Sequence, residues 1–433
     1  MRHQPIDPAL FIENRARLVK LLAPNSLAAI NANDILPTNA DGQLPLVPQS
    51  DLFYLTGVEQ EETVLLLCPQ AFDEKLREVL FVRETNELLA TWEGHKLTKE
   101  EAAAVSGIKN IKWLSEFPGV FHRLMIESQN IYLNTNEHAR TSSNVQTRDA
   151  RFIAATMESY PLHNYRRLAP LMHQLRAAKT EREIELLRTA VEITADGFER
   201  VAKFIKPGVM EYEIEAEFAH EFTRRRAKFA YTPIIASGKN ANVLHYLQND
   251  QECKKGDLVL LDVAASYANY NADLTRTLPV SGKFSRRQRD VYNAVLRVLR
   301  AAIKNAVVGK LHRDWTKEAQ MLMNEELLTL GLLKKADIKK QTDDEPACRK
   351  YFMHGLGHFL GLDVHDVGYT SRPFEPGTVL TVEPGIYLKE EGFGIRLENN
   401  IVVRSHDPAS AEDLMATVPL EPDEIEDLMA QKR

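Results

Sequence analysis

Cysteine is scarce. Cys68, Cys253 and Cys348 are the only three in 433 residues, and they are far apart. No C-x-x-C pair exists, which removes a sulfur-rich zinc site and fits a reducing cytoplasm. No apolar run reaches the ~18 residues of a membrane helix. The start, Met1-Arg2-His3-Gln4-Pro5, lacks the apolar stretch of a secretory signal, and Asp7 and Glu13 interrupt any basic transit pattern. A concentrated positive charge is also missing. Lysine and arginine number 54 against 61 acidic residues, a net charge of −7. The run Arg224-Arg225-Arg226 reads as a solvated helix face, so neither nucleic acid nor a membrane is expected as a partner. Tandem repeats and low-complexity segments are absent as well.

What is present is an ordinary globular mixture, 44% hydrophobic and 27% charged. The length exceeds the ~250–300 residues at which single cores stop growing, which predicts two domains. Residues 1–172 read as an α/β domain. It has an amphipathic helix over Pro8 to Leu22 and strands at Leu27–Ile30, Thr63–Leu67, Glu78–Val82 and Asn130–Leu133. Leu55–Val58 and Thr91–Gly94 read as turns.

Residues 173–433 read as α+β. Thr180 and Glu183 form a capping box ahead of Ile184, Leu187, Val191 and Phe198 at helical spacing. A second helix runs from Glu211 to Arg226. A third starts at Ser285, with its stripe of Val291, Val295, Val298, Leu299 and Ile303 and a stop at Gly309. Leu258–Ala265 and Ala272–Val280 predict one hairpin, turning at Asn-Tyr-Asn. Val379–Val382 and Ile395–Val403 predict another. Helices lying between strand pairs would cover one side of a curved antiparallel sheet.

The chemistry concentrates in this half. Asp262 in Leu-Asp-Val, Asp273 in Ala-Asp-Leu-Thr, His358 in His354-Gly-Leu-Gly-His358, Glu383 in Val-Glu-Pro-Gly and Glu398 in Arg396-Leu-Glu398 supply four carboxylates and one imidazole. Asp262 falls on an apolar strand face, where a charge is costly unless paired or metal-bound. Two carboxylates facing a common point across the hairpin would repel, and a cation between them removes the conflict. Two glycines disfavour a helix between His354 and His358, and an extended segment would place both rings on one side. Glu383-Pro384-Gly385 suits a type II turn. Taken singly, each residue also fits a bland role: a turn-flanking aspartate, a satisfied histidine, an Arg396–Glu398 ion pair. Together they predict two divalent cations that activate water and polarise a carbonyl. The oxygen-rich donor set favours Mn²⁺, with Zn²⁺ and Co²⁺ as alternatives.

The order and spacing of these motifs resemble the pita-bread metallopeptidases, aminopeptidase P and prolidase among them. The stretches that carry the resemblance run from Ile235-Ala-Ser-Gly through His245-Tyr, Gly256–Asp262, Ala272-Asp273-Leu-Thr-Arg-Thr, Met353–Gly368, Leu380–Tyr387 and Gly394–Glu398. The likeness spans residues 175–430. A weaker one, including Gln49-Ser-Asp-Leu-Phe-Tyr54-Leu-Thr-Gly57, extends over the N-terminal domain in its aminopeptidase P version. The resemblance implies that Asp273, His358, Glu383 and Glu398 bind one metal and that Asp262, Asp273 and Glu398 bind the second. It implies that His245, His354, His365 and Arg396 bind substrate and handle protons, and that Glu383 takes a proton from the attacking water. It further implies a proline-containing peptide substrate and a homo-oligomer, dimer or tetramer. The segment Leu44–Pro48 and a short Glu383–Glu398 loop depart from the family pattern and bear on substrate length. Hydrolysis of an Xaa-Pro bond at a peptide's N-terminus is therefore the expected activity. Xaa-Pro dipeptide cleavage is the alternative, and a metal-free hydrolase or a non-catalytic binding module fits the retained acidic positions poorly. Trp92 and Asp41 are further candidates for the site, Trp92 from a neighbouring subunit. Tyr387 is a candidate hydrogen-bond donor to a metal-site carboxylate.

Overall fold

A computed structural model describes residues 3–405 and 411–431, in two compact units, His3–Arg176 and Ala177–Arg433. The division falls inside the helix Ala169–Ala177, slightly beyond the boundary expected after residue 172.

The first unit is built on a six-stranded mixed sheet. Its strands are β1 (Ser26–Asn31), β2 (Val64–Leu67), β3 (Glu78–Val82), β4 (Ile111–Trp113), β5 (Asn130–Leu133) and β6 (Asn164–Arg167), in the order β4-β3-β2-β1-β5-β6. β1–β2 and β2–β3 pair antiparallel and the other neighbours parallel. The central strands are buried throughout, which is why they read as unbroken apolar runs. The edges β4 and β6 escaped sequence reading because Ile-Lys-Trp is too short and Asn-Tyr-Arg-Arg too polar to look like strands. Helix α1 (Ala9–Val19) is shorter than the expected Pro8–Leu22. Helix α2 (Phe117–Glu127) brings Phe121, Leu124 and Met125 onto Leu27, Leu66, Phe81 and Ile131 of the sheet. The two predicted turns are helix ends. Gly57 (φ 68°) closes the helix Ser50–Thr56 and Gly94 (φ 79°) closes Glu87–Glu93, conformations that glycine adopts without strain.

In the second unit, α3 (Glu181–Phe204) opens on the Thr180/Glu183 capping box, and α4 (Glu211–Arg224) follows. Helix α5 (Arg286–Asn305) opens on the Ser285/Gln288 box and packs on α6 (His312–Thr329). The stripes on α3 and α5 are buried, as their spacing required, except that Ile303 near the end of α5 is half-buried.

The strands of this unit all pair antiparallel. A short strand β7 (Lys228–Phe229) and β8 (Ile234–Ser237) precede two long hairpins, each interrupted midway. In the first hairpin, β9 (Leu258–Asp262) pairs with β12 (Thr275–Pro279), and β10 (Ala265–Tyr267) with β11 (Tyr270–Asn271). The turn is at Ala268-Asn269, both at positive φ, one residue earlier than Asn-Tyr-Asn suggested. In the second hairpin, β13 (Val379–Val382) pairs with β16 (Asn399–Val402), and β14 (Gly385–Leu388) with β15 (Phe393–Arg396). The type II turn at Glu383-Pro384-Gly385 does not form. Gly385 has no positive φ, and the chain resumes as β14 after a two-residue break.

Candidate metal centre

Both hairpins are interrupted where the candidate carboxylates sit. Asp262 ends β9, and Asp273 lies in the opposite gap between β11 and β12. Glu383 fills the gap between β13 and β14, and Glu398 the gap between β15 and β16. Pro384 has no N–H to donate into a ladder, which favours the break beside Glu383. The backbone groups freed at these gaps are satisfied across the site. Glu398 N–H donates to Thr275 O at 3.0 Å and bridges the two hairpins, while Glu383 N–H donates to Leu356 O at 2.8 Å. The Asn400 side chain spans Asp273, accepting from its N–H (3.0 Å) and donating to its carbonyl (2.6 Å).

The imidazole arrives on the loop His354–His358. His358 N–H donates to Thr381 Oγ1 at 3.0 Å, and Thr381 N–H returns to His358 O at 2.9 Å. Gly357 permits this approach to β13, since a Cβ there would lie 2.0 Å from Thr381 O. His358 Nδ1 faces Phe359 O at 2.9 Å, which leaves Nε2 toward the carboxylates, 3.5 Å from Asp273 Oδ2 and 3.7 Å from Glu383 Oε1. One donor atom each from Asp273, His358 and Glu398 lie within 4.8 Å of one another. A cavity of about 360 Å³ opens onto this cluster, lined also by His245, His354, His365, Arg396, Tyr231 and the apolar Ile234, Leu244, Leu247 and Val364.

The electrostatics are those of anions packed together. Burial pushes Glu398 well above the usual carboxylate range, with Asp273, Glu383 and Asp262 adding to it. Burial also lifts Glu383, to about 7, with Asp273 and Asp262 contributing against the pull of His358 and Arg396. Asp262 is raised by burial and partly relieved by Arg396, whose Nη2 donates to Oδ2 at 2.6 Å. Burial works to lower His358, yet Asp273 and Glu383 hold it above its ordinary value. The donor set fits divalent cations: oxygen-rich, held by hydrogen bonds to surrounding groups, and carrying more negative charge than its one arginine offsets. The Asp262 oxygens engaged by Arg396 and Tyr231 keep further lone pairs for a metal.

Of the remaining candidates, His245 and His365 are exposed at the cavity wall, and the His365 ring stands edge-on to His358 at 4.4 Å. His354 is turned inward. Its Nδ1 faces Gly355 O (2.9 Å), its Nε2 accepts from the Tyr387 hydroxyl (2.8 Å), and burial and then Arg396 hold it down to about 3. Tyr387 accepts from Arg396 Nη1 at 2.8 Å, so its partners are His354 and Arg396, not the expected metal-site carboxylate. Arg396 pairs with Asp262, not with its sequence neighbour Glu398. Trp92, 81% exposed, and Asp41 belong to the first unit. Sequence reading missed Tyr231, whose hydroxyl lies 2.6 Å from both Asp262 Oδ1 and Asp273 Oδ1. It also missed Thr275, whose Oγ1 donates to Glu398 Oε2 at 2.6 Å.

Residues 185–405 match metallopeptidase family M24, and residues 11–132 match the aminopeptidase P, N-terminal domain. The chain is 35% identical over 440 residues to the Xaa-Pro aminopeptidase of Escherichia coli (strain K12), covering 98% of each. Among solved structures, a putative aminopeptidase P from Bacillus anthracis aligns with a TM-score of 0.89 at 34% identity, over 98% of both chains. Zn-substituted E. coli aminopeptidase P in complex with product aligns with a TM-score of 0.87 at 34% identity, over 99% of this chain and 100% of that one.

Proposed function

Since the chain belongs to metallopeptidase family M24 and carries the aminopeptidase P type of N-terminal domain, we propose that it removes the N-terminal residue from peptides with proline in second place. That bond is a tertiary amide without an N–H, so a site acting on it must grip the substrate by other groups. The observation that carries the proposal is the meeting of Asp262, Asp273, Glu383, Glu398 and His358 at the breaks of two hairpins.

Asp273, His358, Glu383 and Glu398 would hold one divalent cation. Asp262, Asp273 and Glu398 would hold a second, with Mn²⁺ the first choice for so oxygen-rich a set. Such a pair supplies a Lewis acid and a water ionised near neutral pH. Glu383, beside the cavity and within reach of His358, takes the proton from the attacking water. His245, on the exposed wall, donates to the oxyanion as it develops at the scissile carbonyl, a role in which one placed donor is worth ~3–4 kcal/mol. His365 orients the peptide. His354, Tyr387 and Arg396 form a hydrogen-bonded chain that ends on Asp262 and fixes that carboxylate. The free α-amino group of the substrate finds its counter-charge among the carboxylates, which favours the N-terminal residue over internal ones.

Three buried free thiols suit a cytoplasmic enzyme. Leu88 and Trp92, exposed on a helix that buries none of its side chains, suit a homo-oligomer. The test of substrate class is an Xaa-Pro-Yaa tripeptide against an Xaa-Pro dipeptide, both with added Mn²⁺. The tripeptide is expected to show kcat/KM at least ~10-fold higher, about 1.4 kcal/mol of transition-state binding. The opposite order would make the protein a dipeptidase.

A further inference from the structure

Outside the metal cluster lies a buried carboxylate that takes no part in the mechanism. Glu211, the first residue of α4, is 0% exposed. Its Oε1 accepts from Ser237 N–H (2.7 Å), Ser237 Oγ (2.8 Å) and Asn240 Nδ2 (3.4 Å). Its Oε2 accepts from the Tyr246 hydroxyl (2.8 Å) and Gln251 N–H (3.0 Å). Every one of these donors is neutral, and every one belongs to the segment 237–251, which carries His245.

One helical turn later, Glu215 accepts from Asn249 Nδ2 at 3.0 Å. Asn249, at φ 48°, also accepts from Ile235 N–H and donates to Pro233 O, each at 3.0 Å. Glu211 and Glu215, one turn apart on α4, thus grip both ends and the middle of one loop. A favourable place at a helix N-terminus would explain an acid at position 211, but not five donors drawn from a single loop. The Tyr246 ring packs with Ile234, Ala236, Leu260 and Tyr387, so the residue beside His245 is tied both to Glu211 and to the strand that ends in Asp262. The negative charge is felt nearby: burial and then Glu211 push the Cys253 thiol up to about 12.

We propose that Glu211 is a positioning residue that holds the 237–251 loop so that His245 faces the scissile carbonyl. A group on a loop is placed only as well as the loop is anchored, and an error of about 1 Å can cost ~100-fold in rate. The proposal rests on the oxyanion role of His245 given above.

The test is a double-mutant cycle on the Mn²⁺-loaded full chain with an Xaa-Pro-Yaa tripeptide. Glu211→Gln keeps the shape but turns an amide N–H₂ toward donors. Its kcat is expected to fall ~10- to 100-fold with KM little changed. Calorimetric Mn²⁺ affinity stays the same, and amide exchange at Ser237 and Gln251 accelerates. In a His245→Ala background the same change should cost less than ~3-fold, because coupled residues are not additive. Tyr246→Phe, a milder change that spares the fold, should lower kcat in the same coupled manner.

Equal cost in the presence and absence of His245 overturns the proposal, as does Glu211→Gln with kcat unchanged where His245→Ala is slow. Loss of Mn²⁺ affinity in parallel with kcat overturns it too. Should Glu211→Gln not fold, an additive Tyr246→Phe overturns it and a coupled one supports it. A His245→Ala enzyme as fast as the parent would instead sink the oxyanion role itself.

Discussion

Removing the charge of Glu383 should change how the stability of the metal-free protein depends on pH. In the folded chain this carboxyl is lifted from an ordinary 4.5 to about 7, first by burial and then by Asp273 and Asp262. A raised carboxyl keeps in the folded state a proton that the unfolded chain has already released. Stability is therefore greatest below about pH 4.5 and is lost as pH climbs through 7. Each pKa unit is worth ~1.36 kcal/mol, so the full shift corresponds to about 3 kcal/mol. His354, held down to about 3, acts in the opposite sense at acid pH. Asp149, lifted to about 6 by burial in the first unit, acts in the same sense as Glu383. Asp149 is common to the parent and Glu383→Gln and cancels in the difference, and His354 titrates below the pH window used. His358 and Glu398, which Glu383 helps to hold up, instead relax in the variant and widen the difference in the same sense. Urea unfolding of chelator-treated protein can be followed by Trp315, buried and the only tryptophan of the second unit. Between about pH 5 and pH 8 the parent should lose ~2–3 kcal/mol more than Glu383→Gln, and saturating Mn²⁺, which binds the ionised carboxylate, should abolish the parent's extra loss. Metal-free curves that run parallel within ~0.5 kcal/mol would refute the idea that an uncompensated buried charge is held at this site.

Asp366→Asn should be costly, because Lys179 Nζ and Asp366 Oδ2 meet at 2.9 Å with both side chains 1% exposed. Leaving that lysine without its charged partner is worth ~3–5 kcal/mol, read as a lowered urea midpoint, while replacing both residues by apolar ones should recover most of it. Tyr231→Phe removes the hydroxyl shared by Asp262 and Asp273 and should weaken Mn²⁺ binding ~10- to 100-fold by calorimetry with little change in fold. Unchanged affinity would mean that the two aspartates need no orienting partner.

Much of this site could be read from residue order, because its parts lie in short, strongly patterned strands. Leu258–Ala265, which contains Asp262, and Val379–Val382, which runs into Glu383, read as strands, and the capping boxes at Thr180 and Ser285 mark two long helices. The interruptions were harder. Ile395 to Val403 alternates as one strand would, and nothing in that pattern shows pairing lapsing at Leu397-Glu398 so that Glu398 can bond to Thr275 on the other hairpin. Pro384 signalled an irregularity but suggested a turn, whereas β13 and β14 continue past it. Tyr231 and Glu211 were invisible for a different reason. Their partners lie from 26 to 42 residues away in sequence, and no local periodicity reports on contacts made through the fold.

Calorimetric titration of the metal-free chain with Mn²⁺ tests most directly the proposal that Asp262, Asp273, His358, Glu383 and Glu398 hold paired cations. Two equivalents should bind per chain, and Asp273→Ala, which removes a ligand common to both positions, should bind neither while remaining folded by circular dichroism. A parent that takes up no metal, or an Asp273→Ala protein that still takes up two equivalents, would contradict it.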